Sequence, residues 1–498
     1  MIKSVSRYLF ALMAAALSLA SCSSGDVASV IPADAKIVAE IDLSRISDKA
    51  GLNIATLQEQ MENIADGKSS VIGKISDFAE NPLVLSLVMK DELYAFTTSD
   101  YVGFAAHLRG KKLAEGLFSL LEKKGECTSV EEKKGYSWTI YKGQWMVAFD
   151  DDRLFAMGPV GPSLQQPLRN EMLRMLSQDD DESFAANDNF ARLQAQNSDI
   201  ALYSTLAGVP EFLQGQFASA QPEGVTADKL QLLMTVDFKN TGIEIKGQTF
   251  SDDENIQKQI DAQDAKMHPL EGTYAGMIPA DGFVAWGATS MEGDELLKSL
   301  KKNKLTSAVL MGLNAGIDAD AVVRAVNGDA AFCVSRLKAD GAPDFAFYAT
   351  VANTDFLADV DYWRKSVAEL GGGASLTPNG NNDYSLRMTD FNGRFGVDGK
   401  MFYATNCAGM KMKPAFSDSV GGFSLKDCCS FMIIDVDKVV RTEGVAEALK
   451  VAENYVAAAP RLLASLKTVV MKVGNAHSGE VLLNTKESKE NILKKLLK

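Results

Sequence analysis

The chain has 498 residues, of which 46% are hydrophobic and 23% charged, so it is long enough for more than one globular domain. Its formal net charge is −14, and no basic run with interleaved aromatic residues occurs, which argues against nucleic acid as a partner. None of the three histidines (His107, His268, His477) lies at metal-ligand spacing from another ligand-forming residue. We therefore expect no nucleic acid, no metal and no cofactor.

The N-terminal residues, MIKSVSRYLFALMAAALSLASCSSGD, are typical of an exported bacterial protein. Lys3 and Arg7 precede an apolar run that is too short for a membrane span, so we expect a signal peptide over residues 1–21. The run ends in Leu19-Ala20-Ser21-Cys22, which resembles the bacterial lipobox. That resemblance implies cleavage before Cys22 and transfer of fatty acids, such as palmitate, to Cys22. The alternative is an ordinary secreted protein in which Cys22 is only a thiol.

The same phrase occurs twice in the chain, as IPADAKIV over 31–38 and as IPADGFVA over 278–285, an offset of 247 residues. Phe155 and Phe402 have that offset as well, within two similar strand-rich segments. A closing segment recurs at an offset of 236, and a longer first-half insertion near 161–189 fits the difference. This collinearity predicts two copies of one domain. We place them at 24–262 and 272–498, joined by a linker over 263–271.

Each copy is expected to run through the same elements in the same order. After a turn and a first strand come a helical region, a hairpin, a second helix, a strand meander, a further strand, a third helix and a closing hairpin. Short turns between consecutive strands favour antiparallel pairing. The predicted class is α+β: two related tandem domains, each an antiparallel sheet with helices packed on one face.

Pro32 and Pro279 explain why the phrase is repeated, because proline fixes its own φ and keeps the preceding residue extended. The phrase is therefore predicted to form a turn before the first strand of each copy. Asp34 and Asp281 have two interpretations, as turn residues or as a functional carboxylate pair, and the turn needs fewer assumptions.

The sequence contains no recognisable catalytic constellation. There is no nucleophile elbow, phosphate loop, dinucleotide-binding motif or Cys-x-x-Cys. Gly371-Gly372-Gly373 is predicted to end a helix, and the acidic runs at 150–152 and 179–182 to be solvated turns, with calcium as the alternative. Core packing is expected for the four tryptophans, with sugar stacking as the alternative: Trp138, Trp145, Trp286 and Trp363.

Cysteine use leaves the disulfide pairing open. Beside Cys22 there are five others, an odd number: Cys127, Cys333, Cys407, Cys428 and Cys429. A bond between the adjacent Cys428 and Cys429 would be distorted. The one bridge that we consider therefore joins Cys407 to one of these two.

With its lipobox and repeated Ile-Pro-Ala-Asp, the chain resembles an uncharacterised family of Bacteroidales envelope lipoproteins that contain a domain of unknown function. The resemblance implies a location in a Gram-negative cell envelope and carries over no catalytic residue. Ser23 after the cysteine favours the outer membrane, and the single acid Asp26 favours the periplasmic face over surface display.

Our leading hypothesis is a lipid-anchored, non-enzymatic binding or scaffolding protein. It would bind an unknown protein or small molecule through the faces of its sheets or a cleft between its domains. The alternative is an envelope hydrolase with a carboxylate-only site, for which the sequence identifies no residue pair.

Overall fold

A computed structural model describes most of the chain. The described residues are 27–51, 88–108, 110–161, 163–209, 221–302, 304–338, 343–388, 391–407, 413–442, 459–475, 477–487 and 489–497. Within these ranges no helix combines the length and apolar character needed to cross a membrane. The protein is mixed α/β, with twelve α-helices in its described part.

The strands, numbered in chain order, are β1 Ile37–Asp42, β2 Val88–Thr97, β3 Val102–Leu108, β4 Glu131–Lys133, β5 Tyr136–Tyr141, β6 Trp145–Phe149, β7 Arg153–Gly158, β8 Ile200–Thr205, β9 Gln231–Lys239, β10 Gly242–Phe250, β11 Ala285–Glu292, β12 Val326–Arg336, β13 Asp344–Val351, β14 Ser375–Gly380, β15 Asp383–Met388, β16 Phe391–Asp398, β17 Met401–Thr405, β18 Ser419–Val420, β19 Phe423–Ser424, β20 Ser430–Asp435, β21 Leu466–Asn475 and β22 Ser478–Thr485. The helices are α1 Leu43–Ala50, α2 Lys111–Lys123, α3 Gln165–Leu176, α4 Asp188–Gln194, α5 Glu254–Asp264, α6 Gly293–Lys302, α7 Lys304–Asn314, α8 Ala319–Arg324, α9 Val360–Glu369, α10 Val436–Val440, α11 Ala459–Ser465 and α12 Ile492–Leu497.

The chain divides into two compact units. Unit 1 comprises the described residues within Met1–Gln214, Thr226–Gly247 and Lys489–Lys498, and unit 2 comprises those within Gly215–Val225 and Gln248–Ser488. The division does not follow one cut in the sequence, because the last residues of the chain belong to unit 1.

Unit 1 is built on a large antiparallel sheet in which the first strand is central. Its pairing order is β9-β8-β1-β2-β3-β7-β6-β5-β4. Strand β1 runs between β2 and β8, so Val38 pairs with Phe96 on one side and with Tyr203 on the other. Because β8 begins far along the chain from β1, this sheet depends on long-range pairing.

Unit 2 has the corresponding antiparallel order, β22-β21-β20-β11-β12-β13-β17-β16-β15-β14. Here β11 is the central strand, and Trp286 pairs with Cys333 on β12 and with Ile433 on β20. In both units the central strand follows the Ile-Pro-Ala-Asp phrase, and a hairpin and a meander continue the sheet on one side.

Both copies of the repeated phrase form the expected turn. The Ala35 N–H donates to the Pro32 carbonyl at 3.0 Å, and the Gly282 N–H donates to the Pro279 carbonyl at 2.9 Å. The preceding residue, Ile31, is fully buried. In each unit this turn therefore lies directly before the central strand.

Helices lie on both faces of the sheet in unit 1, whereas we expected them on one. Phe118 of α2 stacks on Phe149 at 5.3 Å, and Phe190 of α4 meets Tyr94 at 5.8 Å, on the opposite face. The reason is the predicted insertion, since the connection from β7 to β8 contains α3 and α4. In the described part of the corresponding connection from β17 to β20 there are only the short strands β18 and β19.

In unit 2, helices cover one face and irregular segments cover the other. Trp363 of α9 packs with Phe395 and Phe402, while Trp286 on the opposite face packs under segments that include Tyr274 and Leu425. All four tryptophans are buried, as expected of core residues. The three glycines after α9 have positive φ and end the helix, also as expected.

The helices that follow β10 and β22 lie in different units. Helix α5, which follows β10, belongs to unit 2, and α12, at the end of the chain, belongs to unit 1. In unit 1, Ile492 of α12 is fully buried and the Asn491 side chain donates to the Phe238 carbonyl at 2.9 Å. In unit 2, Ile260 of α5 is fully buried. Helix α12 is thus part of unit 1, although it comes at the end of the chain.

Replacing Trp286 with alanine should destabilise unit 2 by about 3–5 kcal/mol, because it removes a large side chain, only 2% exposed, from the layer above β11. Phe416→Ala is the control, since Phe416 is 73% exposed. Urea denaturation of both variants measures the difference. Equal losses in the two variants would contradict this assignment of the core.

Candidate functional site

Three carboxylates lie on one face of the sheet in unit 1. Glu40 pairs across the strands with Tyr94, and Asp42 pairs with Glu92, so Glu92 is the diagonal neighbour of Glu40. Diagonal neighbours on such a sheet have Cα atoms roughly 7–8 Å apart. We call Glu40, Asp42 and Glu92 the carboxylate cluster.

The three carboxylates differ in how their charges are balanced. Asp42 caps the N-terminus of α1, because its side chain accepts the Arg45 N–H at 2.8 Å. The Arg45 Nε lies 3.0 Å from the second oxygen of Asp42. Glu92 accepts a hydrogen bond of 2.9 Å from the Tyr94 hydroxyl. Burial, and then the charges of Glu40 and Glu92, raise the pKa of Tyr94, so its hydroxyl stays protonated and remains a donor.

Glu40 has no such compensation among the described residues. Its Oε2 is buried and has no hydrogen-bond partner in that part of the chain, and its neighbour on β8 is Ala201. Burial, followed by the charges of Glu92 and Asp42, raises the pKa of Glu40 from 4.5 to about 7. A carboxyl group of this kind can hold or release a proton near neutral pH, as a general acid or base must.

A second polar pair lies in unit 2, where Asp264 of α5 meets His477 in the turn between β21 and β22. Their Oδ2 and Nδ1 atoms are 3.2 Å apart, without the alignment of a hydrogen bond. The His477 carbonyl also accepts the Thr249 N–H at 2.8 Å. These contacts join α5, through Asp264, and β10, through Thr249, to the turn of the closing hairpin.

Cys429 lies close enough to this pair for Asp264 to affect its thiol. Burial, and then the Asp264 charge, raise the pKa of Cys429, and the thiol donates to the Gly474 carbonyl at 3.1 Å. Because a cysteine nucleophile needs a lowered pKa, this arrangement disfavours a catalytic role for Cys429. The pair is best explained as a structural contact.

The five described cysteines are free thiols: Cys127, Cys333, Cys407, Cys428 and Cys429. The bridge that we considered between Cys407 and Cys428 or Cys429 is therefore not formed. Cys407 instead lies 3.5 Å from the Ser335 hydroxyl. Burial, followed by the charge of Cys407, raises the pKa of Cys333 to about 12.

The predicted lipidation site, Cys22, lies outside the described residues. Asp34 and Asp281 are exposed residues of their turns. Asp150 closes the turn between β6 and β7 by accepting the backbone N–H groups of Asp152 and Arg153 at 3.0 and 2.7 Å. Across the described ranges, no group of three or more His, Cys, Asp or Glu residues could hold a metal ion.

Sequence reasoning missed both polar groupings for different reasons. Glu40 did carry a signal, as a charged residue inside the apolar strand KIVAEIDL, but its diagonal partner Glu92 depends on strand register. The Asp264–His477 contact joins residues far apart in the chain. No local pattern marks such a contact.

A family model for a domain of unknown function, DUF4836, matches residues 27–493. The chain belongs to the DUF4836 family. The match covers both units, so the carboxylate cluster and the Asp264–His477 pair both lie within the DUF4836 region.

No curated protein matches the chain. Among solved structures, crystal form III of TP0453 is 12% identical, with 49% of this chain and 89% of TP0453 covered and a TM-score of 0.28. Crystal form IV of TP0453 is 13% identical, with 45% and 81% covered and a TM-score of 0.27. Likeness at this level carries no conclusion about function.

We expect Glu40→Gln to stabilise unit 1 above pH 7.5 and to have little effect below pH 5. The folded-state pKa of Glu40, about 7, exceeds the unfolded value of 4.5, so wild-type stability falls as pH rises between these values. Glutamine removes this loss, with a gain of roughly 1–2 kcal/mol after allowance for partial exposure.

Urea denaturation between pH 4.5 and pH 8.5 measures this gain. Glu122→Gln, at an exposed position on α2, is the matched control and should show no such pH dependence. A pH-independent difference between wild type and Glu40→Gln would contradict the raised pKa.

Proposed function

We propose that this protein is a lipid-anchored component of the cell envelope that binds or scaffolds a partner without catalysing a reaction. The observation that carries the proposal is the order of features at the N-terminus, where a basic start and an apolar run lead into Leu19-Ala20-Ser21-Cys22. Loss of residues 1–21 would remove Lys3 and Arg7 and leave a chain of formal charge −16.

Acylation of Cys22 would hold the protein on a bilayer. Each buried methylene contributes about 0.8 kcal/mol, so two or more acyl chains give stable attachment. Only a few residues separate Cys22 from the start of the DUF4836 match at residue 27, and even fully extended they reach about 17 Å. The domain would therefore stay close to the lipid surface.

We also propose that the two halves of the chain, 24–262 and 272–498 with a linker over 263–271, are copies of one domain. The corresponding strand orders of the two units support this proposal, as do the paired Ile-Pro-Ala-Asp turns. The assignment of α5 to unit 2 and of α12 to unit 1 is compatible with it, because a sequence copy need not coincide with a compact unit.

The proposed location is the outer membrane, facing the periplasm. Support comes from Ser23, in the position where an inner-membrane retention signal would have an aspartate, and from the single acid Asp26. The partner would be a protein or small molecule.

An envelope hydrolase is the second candidate, and one observation favours it. Glu40 has a pKa of about 7 and is the diagonal neighbour of Glu92, at a separation compatible with the ~5–10 Å between paired catalytic carboxylates. Glu40 would act as the general acid and Glu92 as the base or nucleophile.

Cys22→Ala tests the anchor. The wild-type protein should incorporate a fatty-acid analogue and partition into detergent, because its acyl chains are apolar. The variant should lose the label and either keep its signal peptide or appear in the soluble fraction, with its circular dichroism spectrum unchanged. An unlabelled, water-soluble wild type would contradict the lipoprotein proposal.

The hydrolase is tested with the purified protein and panels of ester, phosphate, glycan and peptide substrates. Any turnover that depends on the carboxylate cluster should fall by at least about 100-fold in Glu40→Gln and in Glu92→Gln. Glu122→Gln is again the control. Absence of turnover, or turnover that survives both substitutions, would exclude this site as the catalyst.

A further inference from the structure

Helix α7 in unit 2 buries Leu310 but exposes several other apolar side chains. Leu310 is buried among Leu296 and Leu297 of α6 and Val323 of α8. Other apolar residues of the same helix face solvent, and this concentration of exposed large side chains is unusual for a single helix: Val309 is 56% exposed, Met311 70% and Leu313 38%.

The exposed residues form one continuous arc. At 100° per residue, Met311 lies at one flank of the arc, Val309 and Leu313 at the other, and Ala308 and Gly312 between them. All five are exposed, and none of them is charged. A side chain at Gly312 would meet no atom within 4 Å, so the centre of the arc is open. By position Lys304, one turn before Ala308, falls on the same side of the helix, so the uncharged part of this side begins at Ala308. Five neighbouring exposed positions without charge are atypical of a surface helix.

The surroundings of this arc are close to neutral, although the net charge of the protein is −14. Residues 294–320 contain four lysines and four acids, and Lys298 and Lys301 form ion pairs with Glu295 and Asp320. An exposed apolar arc on a helix whose surroundings carry little net charge can enter a bilayer interface without a large cost for removing charge from water.

We propose that α7 docks on the surface of a lipid bilayer, with the arc from Met311 to Leu313 among the acyl chains. This inference rests on the proposed lipid anchor, which would keep the protein near a bilayer and so raise the local lipid concentration that the helix meets. The acyl chains of Cys22 supply the attachment, and α7 supplies a second contact. Moving this exposed apolar area from water into the acyl chains of a bilayer lowers the free energy.

The experiment reconstitutes the full lipoprotein into phosphatidylcholine vesicles with brominated acyl chains, which quench nearby tryptophan. Met311→Trp and Val309→Trp place a reporter at each flank of the arc. Tyr362→Trp on α9 is the matched control, because Tyr362 is also 70% exposed and also on a helix of unit 2. The four native tryptophans are buried, and wild-type emission is subtracted as background.

We expect at least a twofold loss of the added emission in Met311→Trp and in Val309→Trp, and no loss in Tyr362→Trp. If the protein floats with the vesicles but all three reporters are equally unquenched, the helix contact is wrong and the anchor stands. If wild-type protein stays in the aqueous phase, both proposals are wrong.

Discussion

The sheet of each unit depends on one central strand whose two neighbours come from distant parts of the chain. In unit 1 this is β1, which needs β2 on one side and β8 on the other, and β8 arrives only after the hairpin, the meander and the inserted helices. The sheet cannot be completed by local contacts, so its formation requires most of the unit to be in place. Unit 2 has the same requirement around β11.

The sequence predicts individual turns, strands and helix ends, but it does not predict which face of a sheet each helix covers. Turn chemistry at Pro32 and Pro279, alternation in the strands and the glycines after α9 predicted elements that the structure contains, because each is a local property. Which face a helix covers depends on the route of a connection. The insertion near 161–189 was visible as extra length, yet only the fold shows that α4 crosses to the face of Tyr94.

The candidate sites also combine features that the sequence marks locally with features that only the fold produces. Glu40 is a visible anomaly in its strand, but its raised pKa depends on burial and on Glu92 and Asp42, which register brings to the same face. The apolar arc of α7 was hidden for another reason. Its residues fit an ordinary core helix, and only their exposure distinguishes Met311 from the buried Leu310.

The assignment of α12 to unit 1 has a consequence for how the protein can be divided. The last residues of the chain contribute the buried Ile492 and the contact of Asn491 with Phe238 to a unit whose strands all lie in the first half of the sequence. A fragment that ended before residue 489 would therefore lack a residue that unit 1 buries. In this protein, truncation at the C-terminus is a change to the unit that contains the first strand.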